Sequence, residues 1–327
     1  NIDGIVTGQM EKPMRLMAKL ALEMGYIFHT PDVVEASLDK DLMKQAFLRH
    51  NVSCAQYVTF TKGEKITQEK IQHLSFPLIV KPADAFSSRG VRKVNDFEEL
   101  LIEENQTRLF SPKAKIMVEE FLEGKEYSVE SITWHGETTV IQITEKFITS
   151  FPYTVELGHL QPAQLSDEQK QSFEKLVKAA IKAIGIDNSA SHAEVMLTNQ
   201  GPKMIEIGAR LGGDFIASYL TKASTGVSMD KATVQIAVGL KPDINYLESR
   251  FSMIKYIELE EGRKVKEVKP LDEIRKQKGF VFLYVFVQKG DTIKKITHSA
   301  ERPACLIFGA DNIMDLSERV KKSDELL

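Results

Sequence analysis

Apolar and polar positions change period several times along the chain, and each change predicts an element. Residues 13–24 repeat at helical spacing through Leu16, Met17, Leu20, Ala21 and Met24, and stop at Gly25. An apolar run at 2–7 predicts a strand before this helix, 26–29 a short strand after it, and Pro31 the start of a loop. This β-α-β piece reads as the tail of a doubly wound domain. The chain opens on Asn1 and runs directly into that strand, as if a leading segment were missing. Asp39 is the expected N-cap of a second helix to His50, apolar along Leu42, Met43, Ala46 and Phe47, with Lys40 and Lys44 one turn apart. Strands are predicted at 52–60 and 76–80 around a helix at 67–74, then at 91–94 before a helix from Asp96. Residues 115–121, 126–134 and 138–145 form a strand-rich block, and 151–162 reads as loop. An amphipathic helix spans 166–184, ended by Gly185. Helices are expected near 214–222 and 229–238, and alternation from about 252 onward predicts a smaller β-rich cap.

The most informative stretch is SHAEVMLTNQGPKMIEIGARLGGDF, residues 191–215. Two apolar runs flank a Thr-Asn-Gln-Gly-Pro turn, the pattern of an antiparallel hairpin. Strict alternation puts Ala193, Val195 and Leu197 on one face and Glu194 and Met196 on the other; on the second run Met204 pairs with Glu206, and Ile205 with Ile207. Each run thus carries a carboxylate on a face suited to burial, which calls for a cation nearby. Arg210 follows four residues after Glu206, and Gly212-Gly213 permit close backbone approach. Two strand carboxylates, an arginine and a glycine pair suit a magnesium-bound polyphosphate. The same spacing also fits two strand glutamates salt-bridged to local lysines.

Composition narrows the class. At 327 residues, two or three subdomains are expected. An apolar fraction of 43% and a charged fraction of 27% are those of a soluble globular protein, and a net charge of -3 offers nucleic acid no basic face. Cys54 and Cys305 match no zinc or redox spacing, which favours a reducing compartment. With no bilayer-length apolar run and no signal peptide, the expectation is a cytoplasmic protein without a membrane partner.

Two further stretches carry chemistry. At 81–90, a strand-end lysine leads into a loop with Ser87, Ser88 and Gly90, the layout of a lid over phosphates, although the GxxxxGK[ST] order is absent. At 117–127, MVEEFLEGKEY runs from a buried strand through an acidic turn into a second strand. It suits a hinge that reads an adenine edge with backbone groups, and equally an acidic surface turn.

The order of these segments resembles the ATP-grasp superfamily, over roughly residues 39–240. DKDLMKQAF is similar to the helix carrying a first nucleotide lysine, at Lys40, and PLIVKPADAFSSRGV to the strand and phosphate lid, with Lys81 as the second lysine. VEEFLEGKEYSVE resembles the hinge. The resemblance implies Glu119 near the adenine amino group, backbone from Glu120 and Leu122, and Glu126 on ribose. The hairpin resembles the metal hairpin, implying Glu194 and Glu206 on magnesium and Arg210 on the transferring phosphate. Gly208 stands where many members have a metal-binding Asn, so one or two ions remain open. The lid has fewer glycines than many.

Within the superfamily, IEIGARLGGDF, TEKFITSFPYTVELGHLQPAQL and the β-rich tail resemble the L-amino acid ligase group, which implies Glu145, Lys146, Glu156 and His159 toward the substrate, with His192 a further candidate. The implied fold is α+β. It comprises a remnant of an N-terminal domain at 1–38, an ATP-grasp domain at 39–250 with its lid at about 76–123, and a β-rich subdomain at 251–327. The implied reaction joins a small carboxylate to an amine through an acyl phosphate, using ATP and Mg2+; a homodimer stays open. Rival readings are bicarbonate or carboxylate activation as in carboxylases and carbamoyl-phosphate synthases, and an ATP-binding regulatory module without turnover.

Overall fold

The computed structural model describes residues 2–86, 89–246, 250–269 and 271–324. Three helices lead: α1 (Met14–Met24), α2 (Pro31–Leu38) and α3 (Lys40–Arg49). Then follow β1 (Tyr57–Phe60), α4 (Gln68–Ile71), β2 (Leu78–Pro82), β3 (Arg92–Val94), α5 (Phe97–Leu109) and β4 (Ile116–Glu120). These four strands make an antiparallel sheet in the order β1-β4-β2-β3. Its inner face buries Phe60, Leu78, Val80, Ile116 and Val118 against Leu100 of α5. Asp96 starts α5 by accepting the Glu99 amide at 2.8 Å.

The larger sheet takes all the remaining strands: β5 (Lys125–Trp134), β6 (Glu137–Ile148), β7 (Glu156–Gln161), β8 (Ser189–Thr198), β9 (Gly201–Gly208), β10 (Phe251–Tyr256), β11 (Phe280–Val285) and β12 (Ala304–Ala310). Its order is β11-β12-β10-β7-β6-β5-β8-β9, so the strands after residue 250 continue the sheet that carries the hairpin. Helix α6 (Asp167–Ile184) packs across it, and Phe173, Val177 and Ile181 fall on one stripe against Val129, Ala193 and Val195. Each of these large side chains stabilises the fold by about 1.5–3 kcal/mol on burial. Ser166 and Gln169 close a capping box at the start of α6, and Gly185, at φ 84°, ends it in the left-handed conformation. Helices α7 (Thr221–Thr225), α8 (Met229–Ala237), α9 (Asp272–Arg275) and α10 (Ile313–Asp324) complete the chain. Among the described residues no helix is long and apolar enough to cross a membrane.

Several expectations fail locally, each for a physical reason. Neither 2–7 nor 26–29 is a strand, because neither finds a strand partner among the described residues. Pro31 opens α2 rather than a loop: Thr30 accepts the Val33 amide at 3.5 Å, and Pro31 occupies a first-turn position where its missing N–H costs nothing. Only 57–60 of the strand expected at 52–60 forms, with Cys54 making a single bridge to Met204. In α3, Leu42 faces outward and Lys44 takes the buried place. Residues 156–161, expected as loop, form β7, held between β6 and β10 although Glu-Leu-Gly-His-Leu-Gln lacks alternation. The helix expected at 214–222 starts as a π-helical turn, Ile216–Leu220, after two non-glycine residues at positive φ, Asp214 and Phe215.

The hairpin keeps its turn and changes its phase. Register shifts between Glu194 and Val195, so Ile205 is an extra residue in β9. Met204 therefore joins Ile207 in the core, Ile205 turns to the cleft, and Glu206 comes directly opposite Glu194.

Candidate active site

A cleft of about 560 Å³ lies between the two sheets. Its walls come from β2, β4 and the loop after β2 on one side, and from β5–β9 on the other. Lys81 leaves β2 pointing inward and is 4% exposed. Its ammonium donates to Glu119 of β4, and Lys44 Nζ sits 2.5 Å from the other oxygen of that carboxylate. Burial works against the charge on Glu119, but the two lysines outweigh it and hold the carboxyl at about 2. For Lys81, burial dominates and lowers the pKa. Lys40, in the first turn of α3, donates to the Ala85 carbonyl at 2.9 Å and pairs with Glu206 at 3.0 Å. It thus ties the loop after β2 to the hairpin. Gly90 lines the same wall at φ 77°, where a Cβ would lie 2.7 Å from the Phe110 ring. Ser87 and Ser88 lie outside the described residues.

The hinge segment lies at the cleft's edge, where Glu120 and Leu122 line it. The Glu120 amide donates to Gln56 O at 3.0 Å, and its carboxylate accepts from Gln56 N, also at 3.0 Å. Glu119, expected near adenine, lines the cleft with its carboxylate on Lys44 and Lys81. Glu126, expected on ribose, accepts from Lys146.

Glu194 and Glu206 are direct cross-strand neighbours, a like-charge pair that would be destabilising without counter-ions. Lys146 Nζ is 3.0 Å from Glu194 and Lys40 Nζ is 3.0 Å from Glu206. The ion-paired alternative allowed by the spacing is thus the arrangement seen. Burial disfavours charge on Glu194, yet Lys146 and His192 keep its carboxyl well below the usual range. No group of three or more His, Cys, Asp or Glu side chains among the described residues is arranged to hold a metal alone. Two hard carboxylates facing a cleft suit a magnesium ion whose other ligands come from phosphate and water. Gly208 adds no ligand: a Cβ there would lie 3.3 Å from Arg210 Cγ, so the Arg210 side chain folds over that position. The Arg210 guanidinium binds Glu11, with Nε at 2.8 Å.

The far wall joins the candidates His192, His159 and Glu156 to groups that sequence reasoning left out. His192, at the cleft, lies 2.7 Å through Nδ1 from the fully buried Glu130. Burial opposes its charge, but Glu130 raises the imidazole to about 9. A Cβ on Gly212 would stand 2.6 Å from Glu130 Oε2, so this glycine makes room for the pair. Asp214 accepts two bonds from Arg302, both 2.8 Å, and lies 3.3 Å from His159 Nε2. Arg302 also stacks on Tyr256, 3.6 Å from the ring centre, and donates to the Glu156 carbonyl at 3.1 Å. Glu145 departs from this group and pairs with Lys125. Lys44 had a sequence signal, a lysine between Met43 and Phe47. Glu11, Glu130 and Arg302 had none, being brought in from distant segments.

Residues 74–218 match the ATP-grasp domain family, and residues 256–326 match L-amino acid ligase C-terminal domain 2. The chain thus carries an ATP-grasp domain followed by an L-amino acid ligase C-terminal domain. The chain superposes on the crystal structure of L-amino acid ligase from Bacillus licheniformis with a TM-score of 0.85, covering 99% of its own length and 79% of that chain at 23% identity. The alanine–anticapsin ligase of Bacillus subtilis is 28% identical over 235 residues, 65% of this chain and 49% of that protein. Dapdiamide A synthase of Enterobacter agglomerans is 28% identical over 187 residues, 54% of this chain and 43% of that protein. The chain spans about half the length of the curated relatives it matches. Its mixed α+β fold matches that of the L-amino acid ligase structure over 99% of the chain.

Proposed function

We propose that the protein is an ATP-dependent carboxylate–amine ligase that forms an amide or peptide bond through an acyl phosphate. The observation that carries this reading is the convergence of Lys40, Lys81, Glu194, Glu206 and Arg210, from separate segments, on one cleft. The names alanine–anticapsin ligase and L-amino acid ligase among the similar proteins support the reaction class. Lys40 and Lys81 neutralise the phosphates, and Glu120 and Leu122 border the adenine. Glu194 and Glu206 would hold magnesium, which supplies charge neutralisation on the polyphosphate. Arg210 leaves Glu11 for the transferring group, and Glu156 and His159 face the substrates.

An oxygen of the substrate carboxylate attacks the γ-phosphorus, the bond from that phosphorus to the bridging oxygen breaks, and ADP departs. The amine then attacks the acyl carbon, loses a proton and expels phosphate. Catalysis is positioning and electrostatics, with no protein nucleophile. The test supplies ATP, magnesium and a panel of amino acids, with hydroxylamine replacing the amine. A hydroxamate, together with one heavy-oxygen label passed from substrate carboxylate to phosphate, is expected. AMP and pyrophosphate would mean an adenylate and refute the mechanism. Hydrolysis that no substrate pair stimulates would favour a regulatory nucleotide-binding module.

A further inference from the structure

The two carboxylates proposed to hold magnesium already have cations, and one of those cations serves three acids. Lys146 projects from β6, whose neighbours β5 and β7 fix its place in the sheet. It is 6% exposed. Its ammonium donates to Glu126 of β5, lies 3.0 Å from Glu194 of β8 and 3.5 Å from Glu156 of β7. Three carboxylates from three strands thus share one buried ammonium, which compensates all of them at once. On the other side of the carboxylate pair, Lys40 holds Glu206.

A free divalent ion arriving here has to displace Lys146 from Glu194 and Lys40 from Glu206, so that each of two buried ammonium groups gives up a charged partner and receives none in return, a penalised exchange. A metal arriving on a triphosphate brings the replacement partners with it. Each lysine then exchanges a carboxylate for a phosphate oxygen, one charge-assisted contact for another.

We infer that Lys146 and Lys40 are resident counter-ions that stand in the metal's place and close the glutamate pair to free divalent ions, so that metal enters only with nucleotide. Lys146 is, in addition, the positioning residue that gathers Glu126, Glu156 and Glu194 at the junction of the nucleotide and substrate halves. This inference rests on the ligase reading only in its use of a metal–nucleotide complex.

The experiment titrates Mn2+ into protein without nucleotide, reading free ion by electron paramagnetic resonance, and follows the Mn2+ complex of a non-hydrolysable ATP analogue by calorimetry. Wild type should leave Mn2+ free over the range in which it binds the analogue complex. Lys146→Gln should bind Mn2+ alone at least about tenfold more tightly than wild type, the charge at this distance being worth that much or more. The gain should vanish when Glu194→Gln is added. Circular dichroism checks folding, and Lys40→Gln, which frees Glu206, gives the same readout should Lys146→Gln not fold. Wild type binding Mn2+ alone as tightly as the complex, or folded lysine variants binding it no better, would overturn the inference. Failure of wild type to bind the analogue complex at all would overturn the nucleotide reading beneath it, and this inference with it.

Discussion

Replacing Glu119 with glutamine should weaken the fold at neutral pH, and the size of the loss can be worked from the structure. The carboxylate is 7% exposed and compensates two lysines, Lys44 and Lys81, that are themselves buried. A carboxyl held at about 2 against an ordinary 4.5 contributes about 3 kcal/mol at neutral pH. Removing one partner from a buried ion pair costs about 3–5 kcal/mol by independent measure, so the two routes agree. The sign follows from the depressed pKa. The contribution is complete above about 4.5, and it disappears as pH falls toward 2. At pH 4 roughly 1 kcal/mol of it should already be gone. Urea unfolding of wild type and Glu119→Gln, followed by circular dichroism from pH 7 to pH 4, measures the gap. A gap of several kcal/mol that narrows below pH 5 is the expected result. A gap that stays constant with pH would show that charge compensation is not the cause. A gap near zero would mean that the two lysines find other partners. Either outcome refutes the reasoning.

Lys81→Ala should weaken ATP binding by about tenfold or more, because a charge-assisted contact to phosphate is lost, and calorimetry with an ATP analogue checks it. Glu206→Gln should leave the circular dichroism spectrum unchanged while abolishing magnesium-dependent ATP turnover; wild-type turnover at ordinary magnesium would remove Glu206 from the metal site. His29 is buried, with Nε2 3.0 Å from the Ala209 carbonyl, and burial lowers its pKa to about 4. Its neutral form is therefore native: stability is complete above about 6.5 and falls as pH drops toward 4. In His29→Gln that part of the pH dependence should be missing from thermal melts. Gly212→Ala should dislodge the Glu130–His192 pair, and it should lower turnover without releasing the ATP analogue in calorimetry.

Local chemistry was enough to read much of this molecule. The cap at Asp39, the helix from Ser166 to Gly185, the hairpin turn and the strand bearing Lys81 all depend on neighbours in sequence, so their signals survive without a fold. The order of the lysine, lid, hinge and carboxylate segments was legible for the same reason. What the tertiary structure alone decided is where each charge goes. The single extra residue at Ile205 reverses the faces of half a strand, and alternation cannot foresee it because its cause is pairing with β8. β7 exists because β6 and β10 satisfy its backbone on both sides, whatever its own pattern. The strands expected at 2–7 and 26–29 do not form, because apolar residues supply the tendency to pair and not the partner. Glu11 on Arg210, Glu130 under His192 and Arg302 on Asp214 join residues 62 to 199 positions apart. Chain distance carries no information about such pairs: a buried charge must be matched, but only the fold determines which of many distant residues matches it.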